Sequence, residues 1–215
     1  MSTLRTITGF KERLSGGGAR PNLFEVEIPS FPASVSSAWN TGAGQEAETL
    51  KFLCKAASLP ASNISPIDIP FRGRILKVAG DRTFDVWSIT VINDEDFKLR
   101  TAFERWMNII NKLDNATGAT NPSSYMTDAY VYQLGRGAGT ANSTTNSERL
   151  NGDGIIPLRS YKFYDIFPTN IGAIDLSYDS SDSIEEYSVE FQVQYWSAGK
   201  QSDNSNDSTN AIIDW

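Results

Sequence analysis

The clearest hydrophobic pattern lies near the end of the chain, where residues 184–196 alternate between apolar and polar side chains. One face of the segment carries Tyr187, Val189, Phe191, Val193 and Tyr195, and the other carries Glu186, Ser188, Glu190, Gln192 and Gln194. A period of two residues is typical of a β-strand with one buried face. The pattern therefore predicts a strand whose second face has no apolar residue.

Other segments also have the composition or alternation of strands. They are residues 23–28, 50–57, 83–92, 125–134, 158–167 and 174–178. In the segment 158–167, Tyr161 and Phe163 face one way while Tyr164 and Ile166 face the other, which predicts a strand that is covered on both faces. In the segment 174–178, Ile174, Leu176 and Tyr178 mark one face.

A hairpin is predicted around Arg72-Gly73-Arg74, with arms at residues 67–71 and 75–78. Proline cannot donate to a ladder of hydrogen bonds, so Pro70 in the first arm predicts a hairpin at an edge or projecting from the sheet. The segment Ala79-Gly80-Asp81-Arg82 predicts a second turn. A solvated turn is the alternative to a hairpin that contacts a neighbour.

An amphipathic helix is predicted from residue 94 to residue 113. Its apolar stripe consists of Leu99, Phe103, Trp106, Ile110 and Leu113, widened by Phe97, Met107 and Ile109. The preceding Asn93-Asp94-Glu95 provides a cap and an acidic first turn. Such a stripe is far more often part of a core than a cofactor site, so we expect the helix to pack on the outside of a sheet.

The remaining segments are rich in Gly, Ser, Thr and Asn. We predict loops at residues 30–49, 115–124 and 135–156, a flexible N-terminal segment 1–18 and a flexible C-terminal extension 197–215. The apolar tip at residues 211–215 predicts either a frayed terminus or a docking peptide.

Together these elements predict a mainly β fold. About seven to nine strands joined by turns, with one helix, favour an antiparallel sandwich or barrel, and no βαβ rhythm is present. The length of 215 residues fits a single domain over residues 19–196.

Composition excludes several function classes. The net charge of −7 disfavours binding to nucleic acid, because that mode needs clustered Lys and Arg. Histidine is absent, and Cys54 is the only cysteine, so the commonest general base, the commonest metal ligand and an intrachain disulfide are missing. Cys54 is predicted to be a small core residue and not a nucleophile. We predict no enzyme activity, cofactor or metal.

Two alternative sites built from carboxylates were weighed. A glycosidase pair at Glu186 and Glu190 would be separated by about 13 Å along an extended strand, too far for the usual acid pair. A calcium loop from Asp179, Asp182 and Asp153-Gly154 does not match the spacing of known ligand motifs, and solvated turns explain those residues better. No segment has the apolar length of a signal peptide or a membrane span, so we expect a soluble chain without a membrane partner.

Three segments resemble the tail tube protein family of contractile-tailed bacteriophages. They are Ile69–Trp106 with its hairpin, strand and helix, ARPNLFEVE at residues 19–27, and FPTNIGAIDL at residues 167–176. In the family's order, the resemblance covers residues 19–29, 50–113 and 157–196. The segments 135–156 and 197–215 extend beyond it.

The resemblance implies a structural virion protein of the phage tail, made in the cytoplasm of the host bacterium. Six subunits would close into a ring with a continuous inner β-barrel, and the rings would stack into a tube inside a contractile sheath. The implied partners are other copies, the sheath, the baseplate and the tail terminator, while DNA passes without specific binding. The alternative is the tube of a type VI secretion system or of a phage-tail-like injection particle.

Two sets of candidate residues follow from combining these observations. Contacts between subunits are predicted for Arg72, Arg74, Asp81 and Arg82, around the hairpin. Residues that face the lumen are predicted to be Asp175, Glu186 and Glu190, because carboxylates have little affinity for phosphate and repel it over about 10 Å at ~0.1 M salt.

Overall fold

The computed structural model describes residues 7–13, 18–32, 35, 45–135, 157–179 and 182–199. The chain divides into two compact units. The larger unit comprises Val26–Tyr130 and Lys162–Trp196, and the smaller one comprises Met1–Glu25, Val131–Tyr161 and Ser197–Trp215. The single domain over residues 19–196 stays a prediction.

Within the described residues, the chain is mainly β with three α-helices, and the prediction of a mainly β antiparallel fold is confirmed. The helices are α1 (Ile7–Arg13), α2 (Gln45–Leu53) and α3 (Lys98–Ile110), and a short 3₁₀ turn spans Pro122–Ser124. The strands are β1 (Phe24–Glu27), β2 (Cys54–Ala57), β3 (Ser62–Phe71), β4 (Arg74–Phe84), β5 (Trp87–Ile92), β6 (Thr127–Leu134), β7 (Pro157–Ile171), β8 (Glu186–Gln192) and β9 (Tyr195–Gly199).

The main sheet has the strand order β1-β6-β7-β8-β5-β2. Its centre is the antiparallel pair β5 and β8, in which Trp87 lies opposite Phe191, Ile89 opposite Val189 and Val91 opposite Tyr187. All six of these side chains are buried. The residues between them turn to the other face of the sheet, so the alternation predicted for residues 187–192 is confirmed.

Aromatic side chains fill the space between the central strands and α3. The Trp87 ring stacks on Phe163 at a centroid distance of 4.8 Å and lies 5.2 Å from Phe191. On the helix, Phe103 and Trp106 contact the same Phe191 ring at 5.8 Å and 6.0 Å. The helix therefore covers one face of the sheet, and the opposite face of the two central strands is mostly half-buried.

An ion pair connects β1 with α2. Glu27 is in β1, and its carboxylate lies 3.1 Å from the Lys51 ammonium. Lys51 belongs to α2, which packs beside β2 and β5. The helix that precedes β2 is therefore linked to the first strand of the sheet order by a side-chain contact.

The backbone of β7 is irregular at Asp165. This residue has a left-handed conformation, with φ of 51°, and its N–H donates to the Asp128 carboxylate at 3.3 Å. Phe163 and Ile166 on either side of it are both fully buried. The assignment of these two side chains to opposite faces of the strand stays a prediction.

The smaller unit has its own hydrogen bonds. The Leu134 N–H donates to the Leu23 carbonyl at 2.9 Å, which continues the pairing of β6 with β1. The Gln133 side-chain amide donates to the carbonyls of Arg20 and Leu23 at 2.8 Å and 2.7 Å. The Ser160 hydroxyl donates to the Gly199 carbonyl at 3.4 Å, between β7 and β9.

Helix α2 corrects the prediction of a loop through residue 49 followed by a strand from residue 50. The helix runs from Gln45 to Leu53, and only Cys54–Ala57 is a strand. Within the helix Leu50 is buried, whereas the Phe52 side chain is 82% exposed. A short apolar run cannot be assigned to a helix or a strand by periodicity alone, which explains the error.

Helix α3 is shorter at both ends than predicted. The backbone of Phe97 is left-handed, with φ of 52°, so the regular helix begins at Lys98, whose N–H is bonded to the Asp94 carboxylate at 3.2 Å. The helix ends at Ile110, and the Leu113 side chain is 96% exposed. Leu113 and the 43% exposed Phe97 therefore do not belong to the apolar stripe.

Several strand boundaries also differ from the predictions. The predicted strand 83–92 is divided between β4 and β5, and the predicted strand 184–196 between β8 and β9. Residues 174–178 are not a strand, and Leu176 and Tyr178 are exposed.

Helix α1 lies in the segment predicted to be flexible, and β9 extends the folded part to Gly199. Residues 136–156 and 200–215, which carry the other predicted loop and extension, lie outside the described residues.

The core predicts a strong dependence of stability on Phe191. The change Phe191→Ala should lower the free energy of unfolding by about 3–5 kcal/mol, because it removes a buried ring that three other aromatic side chains contact. The matched change Phe52→Ala removes the same ring from an exposed site and should cost less than about 1 kcal/mol. Urea unfolding followed by tryptophan fluorescence measures both, and equal losses would contradict the assignment of the core.

Candidate assembly surfaces

A long hairpin, β3 and β4, forms a sheet of its own. Its pairing runs from Ser62 opposite Phe84 to Phe71 opposite Arg74. The turn residues Arg72 and Gly73 have φ of 46° and 80°, which is typical of a two-residue turn that follows the twist of the strands. The prediction of a hairpin at this turn is confirmed, and the hairpin is longer than predicted.

The second turn predicted at residues 79–82 is wrong, because these residues continue β4. Gly80 lies beside a register shift between Ile64 and Pro66. A Cβ at Gly80 would lie 2.6 Å from the Ser65 carbonyl oxygen, so the glycine permits a close approach of two strands. Its role is a bulge within the hairpin.

One face of the hairpin is apolar and exposed. Ile67 lies opposite Val78 and Ile69 opposite Leu76, so these side chains share a face with Phe71. All five side chains are exposed, with fractions between 42% for Val78 and 66% for Phe71. We call these five residues the hairpin face. A contiguous exposed apolar patch on a soluble protein marks an interaction surface.

The opposite face of the hairpin has a different character. Asp68 lies opposite Lys77, and their side chains form an exposed ion pair at 2.9 Å. Exposed pairs of this kind contribute at most about 1 kcal/mol. The same face also carries the exposed Ile75, which lies opposite Pro70. The two faces of the hairpin therefore provide matched positions for substitution on the same two strands.

The free edge of β3 is blocked by two prolines. In a two-residue hairpin the residues that flank the turn form a hydrogen-bonded pair. Hydrogen-bonded and non-hydrogen-bonded pairs then alternate along the strands, and residues in the non-hydrogen-bonded pairs direct their amides outward. On β3 the outward positions are 66, 68 and 70, and two of them are Pro66 and Pro70, which have no N–H. A second strand cannot pair well with this edge, so contact through side chains is favoured.

The four predicted contact residues do not lie together. Arg72 and Arg74 are at the tip of the hairpin, and the Arg72 guanidinium lies over the Phe71 ring at 5.4 Å from its centroid. Asp81 and Arg82 lie in the other half of β4, where Arg82 is opposite Ile64. The structure thus separates the four residues into a tip pair and a pair near the base of the hairpin.

The second candidate surface is the face of β2, β5 and β8 that points away from the core. Its central rows pair Ser88 with Glu190, Thr90 with Ser188 and Ile92 with Glu186. We call these six residues the polar sheet face. Five of the six carry a hydroxyl or a carboxylate, so this surface has no continuous apolar patch.

The two predicted glutamates have different neighbours on the polar sheet face. The Glu186 carboxylate forms an ion pair with the Lys55 ammonium, which reaches it from β2. The Glu190 carboxylate accepts a hydrogen bond from the Asn170 amide at 3.4 Å. The partner of Glu190 in this contact is a neutral amide, whereas the partner of Glu186 is the Lys55 ammonium.

The third predicted lumen residue, Asp175, is outside the sheet. It is exposed in the irregular segment 172–177, and it lines an open hollow together with Glu186. Gly172 holds one end of this segment, because its N–H donates to the Ser188 carbonyl at 2.7 Å and its carbonyl accepts from Arg100 at 3.2 Å. The expectation that Asp175 belongs to a strand was wrong, although it lies near Glu186.

No group of three or more His, Cys, Asp or Glu residues within the described ranges could hold a metal ion. Burial raises the pKa of the Cys54 thiol, and the hydrogen bond to the Ala56 carbonyl lowers it by a smaller amount. The net effect is a pKa of about 12. In the part of the chain that the structure describes, no helix combines the length and the apolar character that crossing a membrane requires.

Comparison with known sequences matches this chain to one family. Residues 19–199 match the family model described as phage tail tube protein. The tail tube protein gp19 of Enterobacteria phage T4 is 34% identical over 182 residues, which cover 85% of this chain and 93% of that protein. The tail tube protein of Serratia phage KSP90 is 25% identical and covers 88% of this chain and 94% of its own length.

Solved structures show the same fold at low sequence identity. A chain in the sheath/tube terminator of the extracellular contractile injection system PVC superposes with a TM-score of 0.53 at 12% identity, covering 85% of this chain and 96% of that chain. The tube terminating cap of the anti-feeding prophage gives 0.53 at 14% identity, covering 85% and 91%. These similarities concern the fold alone.

The raised pKa of Cys54 predicts slow alkylation of the folded subunit. At pH 8 a shift from 9.0 to about 12 lowers the thiolate fraction by about a thousandfold, and the greater nucleophilicity of a more basic thiolate offsets part of this. We expect iodoacetamide to react at least about tenfold more slowly with the native protein than with the urea-unfolded chain. Equal rates, measured by mass spectrometry, would contradict the burial of the thiol.

Proposed function

The chain belongs to the phage tail tube protein family, and we propose that its copies close into rings of six that stack into the inner tube of a contractile tail. It is a structural protein of the virion tail, as the matches over residues 19–199 and to the phage T4 relative indicate. The observation that supports stacking is the hairpin face, an apolar surface whose five side chains are all exposed.

In the proposed ring, the sheets of neighbouring subunits join at their edges. The strand order of one subunit begins with β1 and ends with β2, and both of these strands are only four residues long. Joining edges around a closed ring removes unpaired backbone groups that would otherwise be open to aggregation. A continuous barrel is then formed, and its inner wall consists of the polar sheet face of each subunit.

The wall proposed for this barrel suits the passage of DNA. Hydroxyl and carboxylate groups dominate the polar sheet face, and the chain carries a net charge of −7. Phosphate has little affinity for such a surface, and the repulsion extends over a Debye length of about 10 Å at ~0.1 M salt. DNA therefore moves along the wall without specific binding.

Stacking of the rings is assigned to the hairpin. Its apolar face covers apolar surface of a copy in the next ring, and this burial supplies most of the contact energy. Arg72 and Arg74 at the tip, with Asp81 and Arg82 nearer the base, add charge-assisted hydrogen bonds to the neighbour. Since Pro66 and Pro70 block the edge of β3, the contact uses side chains in preference to an added strand.

The further partners and the place of synthesis follow from the same proposal. The outside of the tube contacts a contractile sheath, and its ends contact the baseplate and the tail terminator. The subunit is made in the cytoplasm of the host bacterium before it joins the tail. A tube of a secretion or injection system shares the fold, but the 34% identity to a phage tube protein favours the virion.

Electron microscopy of the purified protein tests the proposal. We expect negative-stain images to show stacked rings or hollow rods with sixfold end views. Monomers at every concentration, including after addition of tail initiation complexes, would overturn it. Light scattering of the same samples gives the assembled fraction independently.

A pair of matched double variants tests the hairpin face. The changes Ile69→Thr and Leu76→Thr remove two exposed apolar side chains and should prevent rods, because less apolar surface is buried between rings. The changes Asp68→Thr and Lys77→Thr alter the opposite face of the same strands and should leave rods intact. All four residues are exposed, so both variants should unfold within about 1 kcal/mol of the parent. Rods of normal length from the first variant would exclude this face as the contact.

A further inference from the structure

We propose that Glu186 neutralises Lys55 on the wall of the channel, so that Lys55 does not bind passing DNA. This inference rests on the proposed function, because it assigns the polar sheet face to the lumen. It gives Glu186 and Glu190 different roles. Glu186 masks a cation, whereas Glu190 contributes uncompensated negative charge.

Lys55 is the only basic residue in the three strands that carry this face. The sequences of β2, β5 and β8 are CKAA, WSITVI and EYSVEFQ, and they contain no other Lys or Arg. A single cation per subunit would be repeated in every copy around a ring and in every ring along a tube. Its charge state therefore influences the whole length of the channel.

A bulge in β2 places Lys55 where it can reach Glu186. The pairing of β2 with β5 shifts register between Cys54 and Ala56, which leaves Lys55 as the extra residue. Bulges re-aim a side chain relative to regular alternation. From this position the Lys55 ammonium crosses β5 to the carboxylate of Glu186 on β8, the next strand along.

The ion pair balances charge even though it adds little to stability. The side chains of Lys55 and Glu186 are 53% and 35% exposed, so solvent screens their attraction and the pair contributes at most about 1 kcal/mol. Such a pair is a poor explanation for the fold. It does, however, occupy the donors of the ammonium with a carboxylate that is already in place, and a phosphate would have to displace that carboxylate.

The environment of Glu190 makes it a matched control. Its carboxylate accepts a hydrogen bond from the neutral Asn170 amide, and its backbone lies opposite Ser88. Replacement of Glu190 by glutamine removes one negative charge from the face and uncovers no lysine. Replacement of Glu186 by glutamine removes the same charge from the same strand and leaves Lys55 without its carboxylate.

The experiment measures DNA ejection from phage particles that carry these variants. Ejection is triggered in vitro, and the released DNA is followed with a fluorescent dye at several salt concentrations. We expect Glu186→Gln to slow ejection at least about threefold at low salt, since exposed lysines bind phosphate by releasing counterions, and to lose the defect at high salt. Glu190→Gln should have a clearly smaller effect.

A double variant and a single variant complete the test. Adding Lys55→Gln to Glu186→Gln should restore the ejection rate, because the exposed cation is gone. Lys55→Gln alone should eject as fast as the parent or faster, and this variant remains informative if Glu186→Gln fails to assemble. Slower ejection by Lys55→Gln alone, or no rescue by the double variant, would overturn the inference.

Two further outcomes separate this inference from the proposed function. Equal slowing by Glu186→Gln and Glu190→Gln would show that only net charge matters, and would overturn the masking of Lys55 while the channel assignment stands. Normal ejection by all four variants, with normal tubes in the microscope, would overturn both the masking and the assignment of this face to the lumen. Absence of tubes from the unmodified protein would instead contradict the proposed function itself.

Discussion

The packing of α3 against one face of β5 and β8 determines what the rest of the molecule can present. Phe191 is the centre of this contact, since Trp87 on the neighbouring strand and Phe103 and Trp106 on the helix all meet its ring. With these side chains buried, strand geometry forces the residues between them to the opposite face. The polar sheet face is therefore a direct consequence of where the aromatic core lies.

Period-two alternation was sufficient to predict this part of the structure. Tyr187, Val189 and Phe191 are buried as expected, and their polar neighbours turn outward. Apolar patterning did not indicate the left-handed backbone conformation of Asp165, because local geometry produces it. The patterning also failed for Leu50, where burial along a short apolar run is compatible with either a helix or a strand.

The candidate contact surface was predicted less completely. The glycine and the charged residues at the tip drew attention to Arg72 and Arg74, whereas the signal for an apolar face was the alternation of Ile67, Ile69 and Phe71 on one strand. Alternation alone indicates a strand with one covered face, and it does not say whether the cover comes from the same chain. Only the structure showed that these side chains stay exposed within a subunit.

A tube that conveys DNA must bind its own subunits firmly and its cargo weakly, and in the proposed assembly the two surfaces divide these demands between them. The hairpin face offers apolar side chains, which gain free energy when a neighbour removes them from water. The polar sheet face offers neutral hydroxyls together with carboxylates, and the negative charge of the carboxylates repels phosphate. A basic side chain on the polar sheet face would instead attract DNA, because lysine binds phosphate regardless of sequence. On the proposed channel wall, the pairing of Lys55 with Glu186 would thus let a local side-chain contact influence transport along the whole channel.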